Sequence, residues 1–410
     1  MKIAVVTSYP VVPAIEGNSR RILNLTRGLR KMGHEVHLIL LPLRPGTNID
    51  IEGHLNEFGA LRFSYLVPDI IYKALYLPKR LFGNAKRRFW RILGDERQFY
   101  HGLDEFFPET FRKRLSHLNQ IHRFDAVMVE YVFQTAAFSA FPDDIVKVLD
   151  THDSFSDRHR AVGSAKSLFS VPASEQARGF RRANVVVAIQ DDEAKLFRRQ
   201  LDGAAQNVVV VSHLVDVSRP INDYSPSDAV FIGSGNDANV QAVDYFSEHV
   251  LPLIRKEVPG FELKVAGSVC RRIADRDGVR KVGLLKDVVD AFSLGTISLN
   301  PILKGTGIAI KLLDAMACGV VTVATRTGAR GLPDAYCNGV VTVDNFDHEA
   351  MAKAVIDLVR DEDLRKAKGL ASYQDALNWN KQQLENLAAV FPSGDRKESM
   401  AFHHAKGFRQ

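Results

Sequence analysis

Short apolar runs of the buried-strand type alternate with amphipathic helical segments from the first residues onward. Such a chain buries both faces of its strands by building a parallel sheet with helices on either side. The run Ile3 to Thr7, the helical segment Ser19 to Met32, its stop at Gly33-His34 and the run Val36 to Leu41 form a βαβ unit. Runs at Asp125 to Val129, Val146 to Leu149, Val185 to Ile189 and Val208 to Val211 extend the same sheet. A Pro/Ser/Asp cluster from Pro220 to Asp228 has the composition of a linker. Beyond it the alternation restarts, with strands at Ala229 to Ile232, Phe261 to Ala266, Thr296 to Leu299 and Val320 to Ala324. Helices follow at Asn239 to Lys256, Ile308 to Ala317 and His348 to Arg360. The expectation is an α/β chain of two facing, doubly wound domains, 1–220 and 221–375, with ligand in the cleft beyond the strands' carboxyl ends. A length of 410 residues suits two cores.

Hydrophobic residues at 46% and charged residues at 25% are those of a globular chain, and no stretch of about 18 uncharged apolar residues occurs. The three cysteines, Cys270, Cys318 and Cys337, are too scattered for a disulfide framework or thiolate metal site, which points to the cytoplasm. The first apolar run is interrupted by Pro10 and Pro13 and reads as a strand rather than a signal peptide. Residues 70–93 hold seven Lys/Arg, no acidic residue and five aromatics, within a segment of about 50–120 that does not follow the alternation. Two readings of it stand: peripheral contact with an anionic lipid surface or phosphate-bearing acceptor, or a solvated basic helical face. No nucleic-acid fold signature accompanies the charge, so nucleic acid is not an expected partner.

The densest chemistry runs from Asn300 to Leu332. A strand ends, Gly305 and Gly307 allow close backbone approach, and a helix begins whose free N–H groups favour an anion. Lys311 and Asp314 share a helical face, offering a cation to a diphosphate and a carboxylate to sugar hydroxyls; read alone, they also make a surface ion pair.

This stretch, with Ala-Met-Ala-Cys-Gly-Val-Val at 315–321 and Gly328-Ala329-Arg330-Gly331-Leu332, resembles the donor-binding region of glycosyltransferase family 4, nucleotide-sugar enzymes of the GT-B fold. Phe231-Ile232-Gly233-Ser234 with Asn239, Pro10 to Arg21 with Glu16-Gly17-Asn18, Asp150-Thr151-His152-Asp153 and Ala188-Ile189-Gln190 resemble further parts of that family in the same order.

The resemblance implies retaining transfer of a sugar from a nucleotide diphosphate to a hydroxyl of a glycan or lipid-linked acceptor, in surface polysaccharide or glycolipid synthesis. By the same resemblance, His152, Lys311 and Asp314 are the catalytic candidates. Gly233, Ser234, Lys304, Gly305, Thr306, Gly307 and Ile308 line the donor, and Glu16, Gly17, Asn18 and Asp153 lie on the acceptor side. Residues 376–392 resemble the family's C-terminal helix that packs back on the first domain, and 393–410 read as a flexible tail. Read on its own, His152 is equally a loop histidine satisfied by its neighbours.

Two departures from the family pattern stand out. Thr306 occupies the place of the first glutamate of the usual Glu-x7-Glu motif, with Asp314 in that of the second, and no cation follows Gly233. Lys304 is the candidate to compensate. Asp275-Arg276-Asp277 has metal-binding spacing in a charged loop, yet the expectation is no metal and no cofactor. The first βα turn lacks Gly-x-Gly-x-x-Gly and no P-loop occurs, against a dinucleotide enzyme or an ATPase. A sugar-nucleotide epimerase of the same fold and a non-catalytic, transferase-like binding protein are the alternatives.

Overall fold

The computed structural model describes residues 1–14, 16–42, 49–67, 70–105, 107, 109–162, 169–217, 228–285, 287–305 and 307–392. Most of the expected linker (220–227), Thr306 and the tail 393–410 lie outside the described residues. The chain divides into two units, one of residues 1–213 and 383–410 and one of residues 214–382.

The first unit holds a parallel sheet of β1 (Lys2–Thr7), β2 (Glu35–Leu40), β3 (Phe63–Tyr65), β4 (Ala126–Glu130), β5 (Val146–Asp150), β6 (Val185–Ala188) and β7 (Asn207–Val210), in the order 3-2-1-4-5-6-7. Val, Ile and Ala bury both faces of its central strands, from Ile3 to Val6 in β1 and Ala126 to Val129 in β4. The helix Gly17–Lys31 turns Ile22, Leu25 and Leu29 inward. Gly33, at φ +85°, then reverses the chain into β2. Residues 383–392 belong to this unit: Gln383 Oε1 accepts from the Ser212 backbone at 2.7 Å, and Asn386 donates to the Val210 carbonyl at 2.9 Å.

The second unit is built likewise from β8 (Ala229–Ile232), β9 (Leu263–Ala266), β10 (Val279–Gly283), β11 (Ile297–Asn300), β12 (Val321–Thr325) and β13 (Val340–Val343), all parallel, in the order 10-9-8-11-12-13. The sequence's single helix over 239–256 is observed as Asp237–Tyr245, one π turn at Phe246–Val250, and Leu251–Glu257. The wide turn sits just ahead of Pro252, whose missing N–H interrupts the regular ladder. In both sheets the order of strands reverses beside the first strand, between β1 and β4 and between β8 and β11. Those reversals are the ligand positions of doubly wound sheets.

Cys318 is buried, and Cys270 Sγ lies 3.0 Å from the Val265 carbonyl. Among the described residues no helix is long and apolar enough to cross a membrane. The basic segment is a helix, Ile70–Ile92.

Candidate active site

In the second unit, the loops after β8, β11 and β12 converge. The loop after β12 is clamped to the loop after β11: Asn300 Nδ2 donates to the Gly328 carbonyl at 2.6 Å, and the Gly328 N–H donates to Thr325 Oγ1 at 2.9 Å. A Cβ at Gly328 would stand 2.0 Å from the Asn300 carbonyl oxygen, so only glycine permits this approach. The clamp delivers Arg330 to Gly305, where a Cβ would lie 2.8 Å from the guanidinium carbon. Gly307 turns the chain at φ +70°, and the Ala309 N–H donates to the Arg330 carbonyl at 3.3 Å. The helix therefore begins at Ile310 rather than at the expected Ile308, because residues 307–309 are spent on the turn and its tether.

Lys311 stands in the first turn of that helix. Its ammonium donates to Asn239 Oδ1 at 2.7 Å and lies 4.4 Å from the centre of the Phe231 ring. Asn239 in turn donates to the Ser234 carbonyl at 2.8 Å, so Ser234, Asn239 and Lys311 form one network. Desolvation, with Arg330 nearby, pulls the lysine down to about 7. Holding two cations together at partly dehydrated positions is unfavourable until an anion joins them. Asp314 and Ile308 are buried, whereas Lys304 is exposed. The cation that reaches Gly305 is thus Arg330. Arg272 comes to the loop after β8, donating to the Gly235 carbonyl at 2.6 Å, but pairs with Asp237 at 2.9 Å. The carboxylates of Asp275 and Asp277 go to Lys281 and Arg255 respectively.

In the first unit, β4 and β5 end side by side; Tyr131 directly after β4 (φ +70°) and His152 two residues beyond the end of β5 (φ +61°) are both in left-handed backbone. Their rings stack, centroids 4.1 Å apart and 4° from parallel. Behind them is a fully buried charged cluster. Arg21 holds both oxygens of Asp150, at 2.8 and 2.6 Å, and donates to the Val211 carbonyl at 2.8 Å. His152 Nε2 lies 2.6 Å from Glu130 Oε2 and 3.5 Å from Asp150. Burial pulls the imidazole down to about 4, against the opposing pull of Asp150. Burial and the neighbouring Asp150 push the Glu130 carboxyl well up; burial also works against the Asp150 carboxylate, but Arg21, with His152 and a hydrogen bond from Glu130, keeps it low. A neutral imidazole, a neutral carboxyl and one Arg–Asp pair leave little net charge, which makes such burial tolerable.

Donor atoms of Glu130, Asp150 and His152 lie within 4.8 Å of one another, with both Asp150 oxygens already engaged by Arg21. Of the acceptor-side residues, Asn18 hydrogen-bonds Tyr131. Glu16 and Gly17 begin the helix Gly17–Lys31, and Asp153 pairs with Arg158 at 2.9 Å.

Residues 226–361 match the family model of glycosyl transferases group 1, and residues 16–213 that of the glycosyl transferase 4-like domain. The chain belongs to the family 4-like glycosyltransferases. Its fold is that of the GT-B enzymes. TarM (TM-score 0.66, 10% identity) covers 96% of this chain and 99% of its own. Sucrose-phosphate synthase from Thermosynechococcus elongatus (TM-score 0.68, 13% identity) covers 95% and 98%. Anabaena HepE in complex with UDP (TM-score 0.60, 12% identity) covers 95% and 100%. By sequence, this glycosyltransferase is 23% identical to an uncharacterised 44.6 kDa protein in the cps region of Klebsiella pneumoniae, over 87% of this chain and 90% of that one. It is also 29% identical to the GDP-mannose-dependent phosphatidylinositol monomannoside mannosyltransferase of Mycolicibacterium smegmatis, over 37% of this chain and 44% of the relative.

The sequence singled out Lys311, Gly233, Ser234, Gly305 and His152; it placed Arg330, Phe231, Asn239 and Arg21 only within stretches of family resemblance, with no role of their own, and passed over Glu130 and Tyr131. A charged residue inside the buried stripe Arg21, Leu25, Leu29 was the readable sign of the Arg21 pair.

Proposed function

We propose that this glycosyltransferase transfers a sugar, with retention and without a metal, from a nucleotide diphosphate to an acceptor hydroxyl in surface polysaccharide or glycolipid synthesis. The observation that carries this reading is the desolvated Lys311 ammonium, with Arg330 brought to Gly305, at the switch point of the second sheet. As the glycosidic bond breaks, negative charge accumulates on the leaving diphosphate, and cations already in place stabilise that state above the ground state. In this proposal Lys311 and Arg330 hold the diphosphate, and Gly233, Ser234, Gly305, Gly307 and Ile308 line it. Lys304 stands at its exposed edge, and Asp314 serves the nucleoside side. His152, neutral and fixed by Glu130 and Tyr131, meets the transferred sugar as a hydrogen-bonding group. Glu16, Gly17, Asn18 and Asp153 belong to the acceptor side.

The test is a thermal-shift screen against UDP- and GDP-sugars, a choice suggested by the UDP in HepE and the donor of the mannosyltransferase. It is followed by transfer to glycan and lipid-linked acceptors with the product's anomeric configuration read by NMR. One donor is expected to stabilise the protein by about 2–4 kcal/mol at saturating concentration. Epimer formation without acceptor, or binding with no transfer to any acceptor, would overturn the reading.

Lys311 also fixes a pH dependence. A nucleotide sugar's diphosphate is ionised throughout the neutral range, and binding raises the pKa of a lysine that sits near 7 when free. Affinity is therefore flat below about pH 7 and falls above it by up to about tenfold per pH unit, with uptake of a proton. Calorimetry in two buffers of different ionisation enthalpy reads both.

Peripheral membrane contact is the second part of the proposal. On the helix Ile70–Ile92 and just beyond it, Leu81, Phe82 (75% exposed), Phe89, Ile92 (78%) and Leu93 are exposed apolar side chains within one broad arc, bordered by exposed Lys86 and Arg88. Replacing Phe82 and Phe89 together with Ser is expected to weaken binding to phosphatidylglycerol-containing vesicles by about 100-fold, from about 1.5 kcal/mol or more per ring. Unchanged co-sedimentation would remove membrane contact through this helix.

A further inference from the structure

The clamp between Asn300 and Gly328 brings the backbone of the loop after β12 to Gly305, but a backbone clamp does not aim the long side chain of Arg330. A second tether does. β12 and β13 pair in parallel as far as Thr325 opposite Val343, and the Arg326 N–H still donates to the Val343 carbonyl at 2.9 Å. There the ladder ends, and Phe346 turns the chain away in left-handed backbone at φ +67°. At the place of the next rung the Asn345 side chain does the work of a strand: its Oδ1 accepts from the Thr327 N–H at 3.2 Å, and its Nδ2 donates to Thr327 Oγ1 at 2.7 Å.

Thr327 is thus held by backbone and side chain at once, and its carbonyl passes the constraint on. That oxygen accepts from the Arg330 N–H at 3.4 Å and from Arg330 Nη1 at 2.9 Å. The same Nη1 would lie 3.1 Å from a Cβ at Gly305, and Nη2 2.8 Å from it, so the edge of the guanidinium that Thr327 holds is the edge lying against Gly305.

The chemistry of the tether suits an anion site. The carboxylates of the loop after β13 are engaged elsewhere, Asp344 with Arg326 and Asp347 with the Ala350 N–H at 2.9 Å. The group that reaches Thr327 is a neutral amide, which aims the arginine without cancelling its charge. A carboxylate directly on Arg330 would aim it too, but an incoming anion would then have to break an ion pair. A guanidinium already fixed loses less freedom when an anion binds.

We propose that Asn345 is a positioning residue for the diphosphate: through Thr327 it holds the Arg330 guanidinium against Gly305. This deepens the donor reading and rests on it for the diphosphate; the tether itself stands on the hydrogen bonds alone.

The experiment compares Asn345→Ala, Arg330→Ala and the double variant of the full chain by calorimetry with UDP and with GDP. Asn345→Ala is expected to weaken the nucleotide that binds by about fivefold or more, and Thr327→Val, which removes one of the two hydrogen bonds, by less. In the Arg330→Ala background the loss from Asn345→Ala should shrink to within about twofold, because the residue acts through the arginine. Asn345 and Thr327 are half-buried loop residues, so the variants keep the fold, which thermal unfolding verifies.

A second readout needs no ligand. Lys311 is held near 7 by desolvation and by Arg330. Followed by NMR of ε-13C-lysine, its titration should move upward in Arg330→Ala, upward by less in Asn345→Ala, and no further in the double variant than in Arg330→Ala. A purely structural role would give the same loss of affinity from Asn345→Ala in both backgrounds, and that result overturns the proposal, as does a Lys311 titration unmoved by Asn345→Ala. If neither UDP nor GDP binds the parent chain, the donor reading falls, and the lysine titration still decides whether Asn345 holds Arg330.

Discussion

Lys311→Ala is expected to lower kcat/KM for sugar transfer by about 100- to 1000-fold, equivalent to about 3–4 kcal/mol of transition-state stabilisation, the scale of removing one preorganised electrostatic group. The fold should survive, because the ammonium's direct partners, Asn239 and the Phe231 ring, are equally held by Ser234 and by the core. Removing a desolvated cation that sits near Arg330 also relieves repulsion, so the unliganded variant should be no less stable than the parent protein. Loss of activity with unchanged or raised thermal stability separates a role in chemistry from one in folding. A loss below about tenfold would mean that Arg330 alone carries the diphosphate. Arg330→Ala then serves as the partner measurement, with coupling between the two expected because both would contact one anion.

Arg21→Met is expected to act in the opposite way, on stability first. Arg21 and Asp150 are fully buried and bidentate, 129 residues apart in sequence, and removing the guanidinium leaves the Asp150 carboxylate beside Glu130 without a cation. Breaking such a pair from one side costs about 3–5 kcal/mol, a large part of a typical domain's total stability. Urea unfolding of the full chain should show an earlier transition for the first unit. Arg21→Lys, which keeps the charge and loses the two-pronged geometry, should fall between the two. The carboxyls left behind take up protons instead, so the deficit in Arg21→Met should shrink toward acidic pH. A deficit independent of pH would show that lost packing, not charge, is the cause.

How much of this was legible in the sequence follows from where each element lies. Central strands such as β1, β4 and β8 are buried on both faces over the apolar runs Ile3–Val6, Ala126–Val129 and Ala229–Phe231. The strands not foreseen, β3, β10 and β13, are all at sheet edges. An edge needs only one paired side and tolerates a three-residue strand or the charges of Val-Arg-Lys-Val-Gly, so no periodicity betrays it. The site divides similarly. Lys311 was readable because the glycines and the helix that present it are its sequence neighbours. Arg330 was not, because it reaches Gly305 only through the Asn300–Gly328 clamp, made between residues 28 positions apart. Glu130 and Tyr131 were hidden as the end of an ordinary strand; the left-handed turn that follows β4 has no side-chain signature when a tyrosine rather than a glycine adopts it.

The two glycines before Lys311 are fixed by different constraints, and they should therefore evolve differently. Gly307 answers to a torsion angle and is free to change only to residues that tolerate the left-handed region. Gly305 answers to a guanidinium lying where its side chain would be. Among descendants of this chain, positions 305 and 330 should be inherited as a pair: where a bulkier residue arises at 305, the arginine has lost its berth and is released from selection, and the charge must be supplied from elsewhere.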